Sequence, residues 1–414
     1  MRVLLIAGLL LLLLVGCRSI LGIEELPPPP QAVACASSED CPAPTPVCLV
    51  AEERCVECTA EDSASCTGAT PVCAPDHTCT ECRAHTDCTS QVCLPDGRCA
   101  DEADVAYVDG AAPTTATACT RAAPCHQLTL ALAVSPARPV IKVMAGMVVE
   151  DSSRSIFNRT VTIVADPGAV LTRTGTGDFL RVEGGAARVT IQDLAVANIQ
   201  GSGAAVFLRD GELLLDRVEI SNNGIGVRVG GGALRLARSR ITRNRDAGLS
   251  IDNNSASFEV VGNDFLGNGN AGSISGAVRI NNAQGPVARL ELNSFYGNLA
   301  GGRGAAIDCD GPLVLRNNLV SGAVGAPPIQ QLSGNCTHAY SIFYLLSNPL
   351  PAGTNNRAED PQFVDPANGD LHIKASSPAV GSADPGTLFD ALSELDRDGD
   401  RRAAPADIGA DETP

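Results

Sequence analysis

Asp308 and Asp310 flank Cys309, and on a strand two residues that far apart share one face. Paired carboxylates can divide acid and base roles in glycoside hydrolysis, or supply oxygen ligands for calcium. Arg303 and Arg316 are the nearest cations able to take the proton beside a uronate carboxylate, as an elimination requires. A plainer reading competes. Cys309 can pair with Cys336, making Asp308-Cys309-Asp310-Gly311 a stapled turn, and structure is preferred over catalysis here.

Asp396, Asp398, Asp400 and Asp407 are spaced like ligand positions of a calcium loop. Arg401 stands where that loop needs glycine and Asp407 where it carries glutamate, so no cofactor is expected, with Ca2+ the single candidate. The densest basic stretch is Arg228, Arg235, Arg238, Arg240, Arg243 and Arg245, in which Arg238 and Arg243 are the candidate contacts for an anionic glycan. The five histidines (77, 85, 126, 338 and 372) are scattered, lack metal spacing and read as surface or packing residues.

Composition narrows the partners. The chain has 414 residues, a formal net charge of −17, 3% aromatics and no Trp. Phosphate would be repelled and stacking platforms are scarce, which excludes DNA and RNA.

The start of the chain reads as an export signal. Arg2 precedes an apolar run from Val3 to Val15 that is short for a membrane span. Leu14-Val15-Gly16-Cys17 resembles the lipobox of bacterial lipoproteins. That resemblance implies a signal peptide over 1–16, acylation of Cys17 and a lipid membrane as partner. Arg18, in place of Asp, implies the outer membrane or cell surface. Residues 17–34 then form the lipidated Cys and a spacer stiffened by Pro27-Pro28-Pro29-Pro30.

Residues 35–99 contain twelve cysteines in three quartets: Cys35, Cys41, Cys48, Cys55; Cys58, Cys66, Cys73, Cys79; Cys82, Cys88, Cys93, Cys99. Units this small lack a core, so disulfides must substitute, although each quartet allows three pairings. Cys55-x-x-Cys58 and Cys79-x-x-Cys82 have zinc-ribbon spacing, but Cys66 and Cys73 would be stranded and the compartment is oxidising. Disulfides are preferred. The repeat resembles the Cys-rich modules of myxobacterial surface lipoproteins.

From about residue 104 to 414 the chain is all-β in character, with short apolar alternations and many Gly and Asn. An apolar anchor recurs at Val196, Ile220, Ile241, Phe265, Phe295 and Leu319, at spacings between 21 and 30 residues. Asn223, Asn244, Asn268 and Asn298 follow four of these anchors at one fixed offset. That pattern predicts a right-handed parallel β-helix whose stacked Asn side chains form a ladder; a β-sandwich would not require the offset. In this register Glu219, Arg240 and Asp264 stack as an outward-facing charge ladder. Arg217 and Arg238 also align, and two like charges there need anions or neighbours.

Both ends resemble known caps. Tyr107-Val108-Asp109, Ala123-Pro124-Cys125 and Val140-Ile141-Lys142-Val143 are similar to the N-terminal cap of pectate-lyase-like β-helices, and Cys119 and Cys125 are close enough to staple it. Asp360-Pro361-Gln362-Phe363, Ser377-Pro378-Ala379 and Asp407-Ile408-Gly409-Ala410-Asp411-Glu412 resemble the closing region of choice-of-anchor Q proteins, with Arg402 implied as a bridge between carboxylates. The expectation is a surface lipoprotein that binds a glycan or a protein. Cleavage or epimerisation of an acidic polysaccharide is the alternative, and binding is favoured because no convergent catalytic set is evident.

Overall fold

The computed structural model describes residues 34–413 except 253–255, 282–284, 324–328 and 348. The expected signal peptide, Cys17 and the four prolines lie outside the described residues. Two compact units form, residues 34–83 with 96–98 and residues 84–95 with 99–413.

The first unit is two short antiparallel hairpins, Val47–Leu49 with Arg54–Val56 and Val72–Cys73 with Cys79–Thr80. Covalent bonds replace a core. In both repeats the first Cys joins the third and the second joins the fourth: Cys35–Cys48, Cys41–Cys55, Cys58–Cys73 and Cys66–Cys79.

The boundary between units falls inside the third repeat, not after it. Val92 and Ala100 pack with Val105, Tyr107, Val140 and Val164, and the Tyr107 hydroxyl donates to the Ser90 carbonyl at 2.7 Å. Cys88–Cys99 closes that corner. Apolar burial makes this part of the third repeat the base of the second unit.

The second unit is a solenoid with three parallel sheets. Among the described residues, sheet A holds nine strands, from Gly146–Glu150 to Ile342–Tyr344, and sheet B holds eight, from Arg154–Phe157 to Leu332–Gly334. Sheet C holds ten, from Val105–Val108 to Thr337–Ala339. Each coil visits C, A and B in turn, and every strand pairs with its equivalent one coil away. Along each strand, alternate residues face the interior and form one continuous apolar core. The Phe265 and Phe295 rings stack there with centroids 5.0 Å apart.

Tight turns between sheets C and A need a left-handed residue, filled at successive coils by Asp193, Arg217, Arg238, Gly262, Leu292 and Asn317, with φ between 49° and 67°. The Asn ladder runs just beyond sheet A. Asn223, Asn244 and Asn268 each donate Nδ2 to the Oδ1 of the next Asn at 3.0 Å, ending on Asn298.

The register differs from expectation at the last anchor. Phe295 stacks on Val320, not Leu319. Leu319 faces outward, yet is fully buried, because residues 363–408 fold over that part of sheet A. Phe363, Leu371, Ile373, Ala379 and Ile408 form a second apolar cluster with Leu266, Tyr296, Leu319 and Ile342. An outward Leu under a cover looks, in sequence, like an inward anchor.

At the other end, the Cys119–Cys125 disulfide and the helix Leu128–Ala133 cover the first coil.

Candidate functional site

Sheet B carries a chemically mixed outward face. Its strands place Ser155, Arg181, Phe207, Arg228, Ser250, Arg279, Asp308 and Ser333 in one row, one residue per coil. Coils are about 4.8 Å apart, so this is a ruled line of guanidinium, ring, hydroxyl and carboxylate groups. A parallel row begins with Phe157 and Glu183, which are also in register. Neighbours largely neutralise the cations: Arg181 meets Glu183 at 2.7 Å and Arg228 meets Asp178 at 2.9 Å. Arg228 also lies 4.2 Å from the centre of the Phe207 ring.

Asp308 and Asp310 sit at the far end of this face. Arg303 reaches both, at 3.3 and 3.0 Å, and Arg279 lies 3.8 Å from Asp308. Asp308 is 1% exposed and accepts the Ser333 hydroxyl at 2.6 Å. One carboxylate is therefore enclosed and fully occupied while the other faces solvent, which is poor geometry for an acid and base working across one bond. Arg316 belongs to sheet C and pairs with Asp384 at 2.7 Å, so it is no base for this pair. Cys309 is bonded to Cys336.

Arg238 and Arg243 occupy turns at φ 49° and 51°. Arg238 is largely withdrawn from solvent: its Nε donates to buried Asp216 at 2.8 Å, and Arg217 takes the other oxygen of that carboxylate at 2.8 Å. Asp216 is the neighbour that lets the two like charges align. Arg243 is exposed.

The outward charge ladder is only partly solvated. Glu219, Arg240 and Asp264 stack in register, but Asp264 is 1% exposed and pairs with Arg397 at 3.0 Å beneath the closing region. Arg240 donates to the Gly369 carbonyl at 2.7 Å.

The four aspartates of the expected calcium loop do not converge. Asp396 accepts the backbone amides of Asp398, Asp400 and Glu412, between 2.8 and 3.0 Å. Asp407 accepts those of Gly381 and Thr413 at 2.6 and 2.7 Å. Their lone pairs tie the closing region together. Arg402 does the same, reaching Glu412 at 3.3 Å and the carbonyls of Gly409 and Ala410.

A different group does gather: one atom each of His372, Asp398 and Asp411 lie within 4.8 Å of one another. Both His372 ring nitrogens meet carboxylates, Nδ1 with Asp370 and Nε2 with Asp398, the latter at 2.7 Å. Burial alone would depress this imidazole, but those two hydrogen bonds hold its pKa above the ordinary value. Nearby, burial pushes the Asp264 carboxyl up to about 6 against the pull of Arg397 and Arg240. Burial also raises Asp411.

These shifts have one sign. Between the ordinary 3.8 and about 6, folded Asp264 keeps a proton that the unfolded chain has lost, so stability falls across that window. The His372 contribution is complete below 6.5 and disappears as pH rises through its higher folded value. Asp370, held low, works the opposite way only in stronger acid. Buried His338, depressed to about 4, works the opposite way between about 4 and 6.5. The Asp264 contribution is therefore read by difference: in denaturant unfolding from about pH 4 to about 6, the wild type should lose stability relative to Asp264→Asn. A difference that stays constant over that range would refute the assignment.

A family model described as right handed beta helix region matches residues 178–343. The solenoid is a right-handed parallel β-helix. Among solved structures, the chain is similar to pectate lyase Pel9A, with a TM-score of 0.47 and 12% identity, covering 75% of this chain and 96% of that one. It is also similar to a complex of XylC with xylose, with a TM-score of 0.34 and 8% identity, covering 65% and 64%. No curated protein matches the sequence.

Proposed function

We propose that this chain is an exported, lipid-anchored surface protein whose β-helix binds polysaccharide along the outward face of sheet B. The carrying observation is the row from Ser155 to Ser333, in which Arg181, Phe207, Arg228, Arg279 and Asp308 are set one per coil. A regular spacing near that of sugar residues in an extended chain favours many weak, repeated contacts over one deep pocket. The guanidiniums offer donors to sugar hydroxyls, and Phe207 offers a ring. Arg303 and Asp308 already satisfy each other, which supports binding without cleavage. The export and anchoring part rests on the apolar run ending at Cys17.

Immobilised polysaccharides should retain the purified protein, and Arg228→Ala with Arg279→Ala should weaken retention roughly tenfold. Release of sugar products or unsaturated uronates by the wild type would replace binding with catalysis. Cys17→Ser should release the chain from membrane fractions.

A further inference from the structure

Sheet B ends, near the first coils, in a groove of about 370 Å³ lined by Phe157, Glu183, Gly184, Arg209 and Asp210. Phe157 is 62% exposed, whereas Phe179, Phe258, Phe265, Phe295 and Phe343 are buried. A phenyl ring held outward on a rigid strand offers a flat apolar face to a ligand.

The polar walls are built around that ring. Glu183 stands beside Phe157 in register and is oriented by the Ser155 hydroxyl at 3.1 Å and Arg181 at 2.7 Å. Arg209 is 66% exposed and lies 3.7 Å from Glu183. Asp210 accepts the backbone amide of Gly211 at 2.8 Å, which fixes its carboxylate. Gly184 has φ +89° and a Cβ there would strike the Asn158 side chain at 2.2 Å, so the floor requires glycine.

We infer that this groove holds one pyranose residue of a neutral polysaccharide, its apolar face on Phe157 and its hydroxyls shared among Glu183, Arg209 and Asp210. Charge balance selects the ligand. Arg181 and Arg209 offset Glu183 and Asp210, so the groove offers no net attraction to a uronate or a phosphate. Vicinal hydroxyls, each donor and acceptor, match side-by-side carboxylate and guanidinium groups. The inference rests on the polysaccharide-binding reading of sheet B and names the class of sugar that its end would take.

The test is calorimetric titration of the purified chain with cellohexaose, mannohexaose and laminarihexaose, and with hexagalacturonate as the charged probe. The wild type should bind at least one neutral hexaose. Phe157→Ala should weaken that binding about tenfold, and Phe157→Trp should retain it. An exposed ring can be removed without unfolding the solenoid, and circular dichroism checks this. Equal binding by Phe157→Ala, or binding of hexagalacturonate alone, overturns the groove while leaving sheet B as a binding face if Arg228→Ala with Arg279→Ala reduces it. No binding of any of the four by the wild type overturns the groove, and retention of the wild type on immobilised polysaccharide then shows whether the wider reading survives.

Discussion

Asn293→Ala should lower the unfolding free energy of the solenoid by about 3–5 kcal/mol, far more than its size suggests. The reason is the number of groups left without a partner. Asn293 Nδ2 donates to the carbonyls of Val260 and Glu291 at 2.9 Å and to Asn318 Oδ1 at 3.1 Å. Its Oδ1 accepts both the backbone amide and the side-chain amide of Asn263 at 3.0 Å. Apart from the part-buried Glu291 contact, all of this is buried, so water cannot substitute. Chemical denaturation of Asn293→Ala beside Asn368→Ala, a change at an exposed Asn, checks it. A difference under about 1 kcal/mol would mean that the ladder is decorative.

Reduction of the disulfides should unfold residues 34–83 and leave the β-helix standing. The first unit has hairpins of two or three residues per strand and few buried side chains beyond Val47, Val56 and its cysteines. Four crosslinks enclosing 13 to 15 residues each hold it together. Loops of that size contribute about 3 kcal/mol each, more than so small a core can supply. Proteolysis with and without dithiothreitol should show the segment before Arg83 becoming sensitive while the solenoid stays protected. Resistance of the reduced segment would disprove the dependence.

The solenoid was legible because its anchors share one chemical character and recur at nearly one period. One Asn ladder was legible for the same reason. A second was not: Asn263, Asn293 and Asn318 are stacked and bonded, but Ser239 and Ser341 occupy the flanking rungs, so identity breaks at both ends. The face of sheet B was invisible, since Ser, Arg, Phe and Asp share no property that a period could reveal. Only the register lines them up. Arg238 looked available for a ligand because Asp216, which takes its charge, lies 22 positions away in sequence. The cysteine count foretold disulfides but not the first-to-third, second-to-fourth pairing, which hairpin geometry decides.

The closing region has a consequence for how the array responds to stress. In a stack where each coil touches only its neighbours, unfolding can start at an end and proceed coil by coil. Residues 363–413 do not merely continue the stack. They grip rungs far apart in sequence, through Arg240 with Gly369, Asp264 with Arg397, Ser294 with Ala410 and Arg316 with Asp384. Loss of any one rung among residues 240–316 loosens a brace shared by the others. The C-terminal half of the solenoid thus behaves as one cooperative block, while the coils before residue 240 keep the graded, zipper-like stability of a simple repeat.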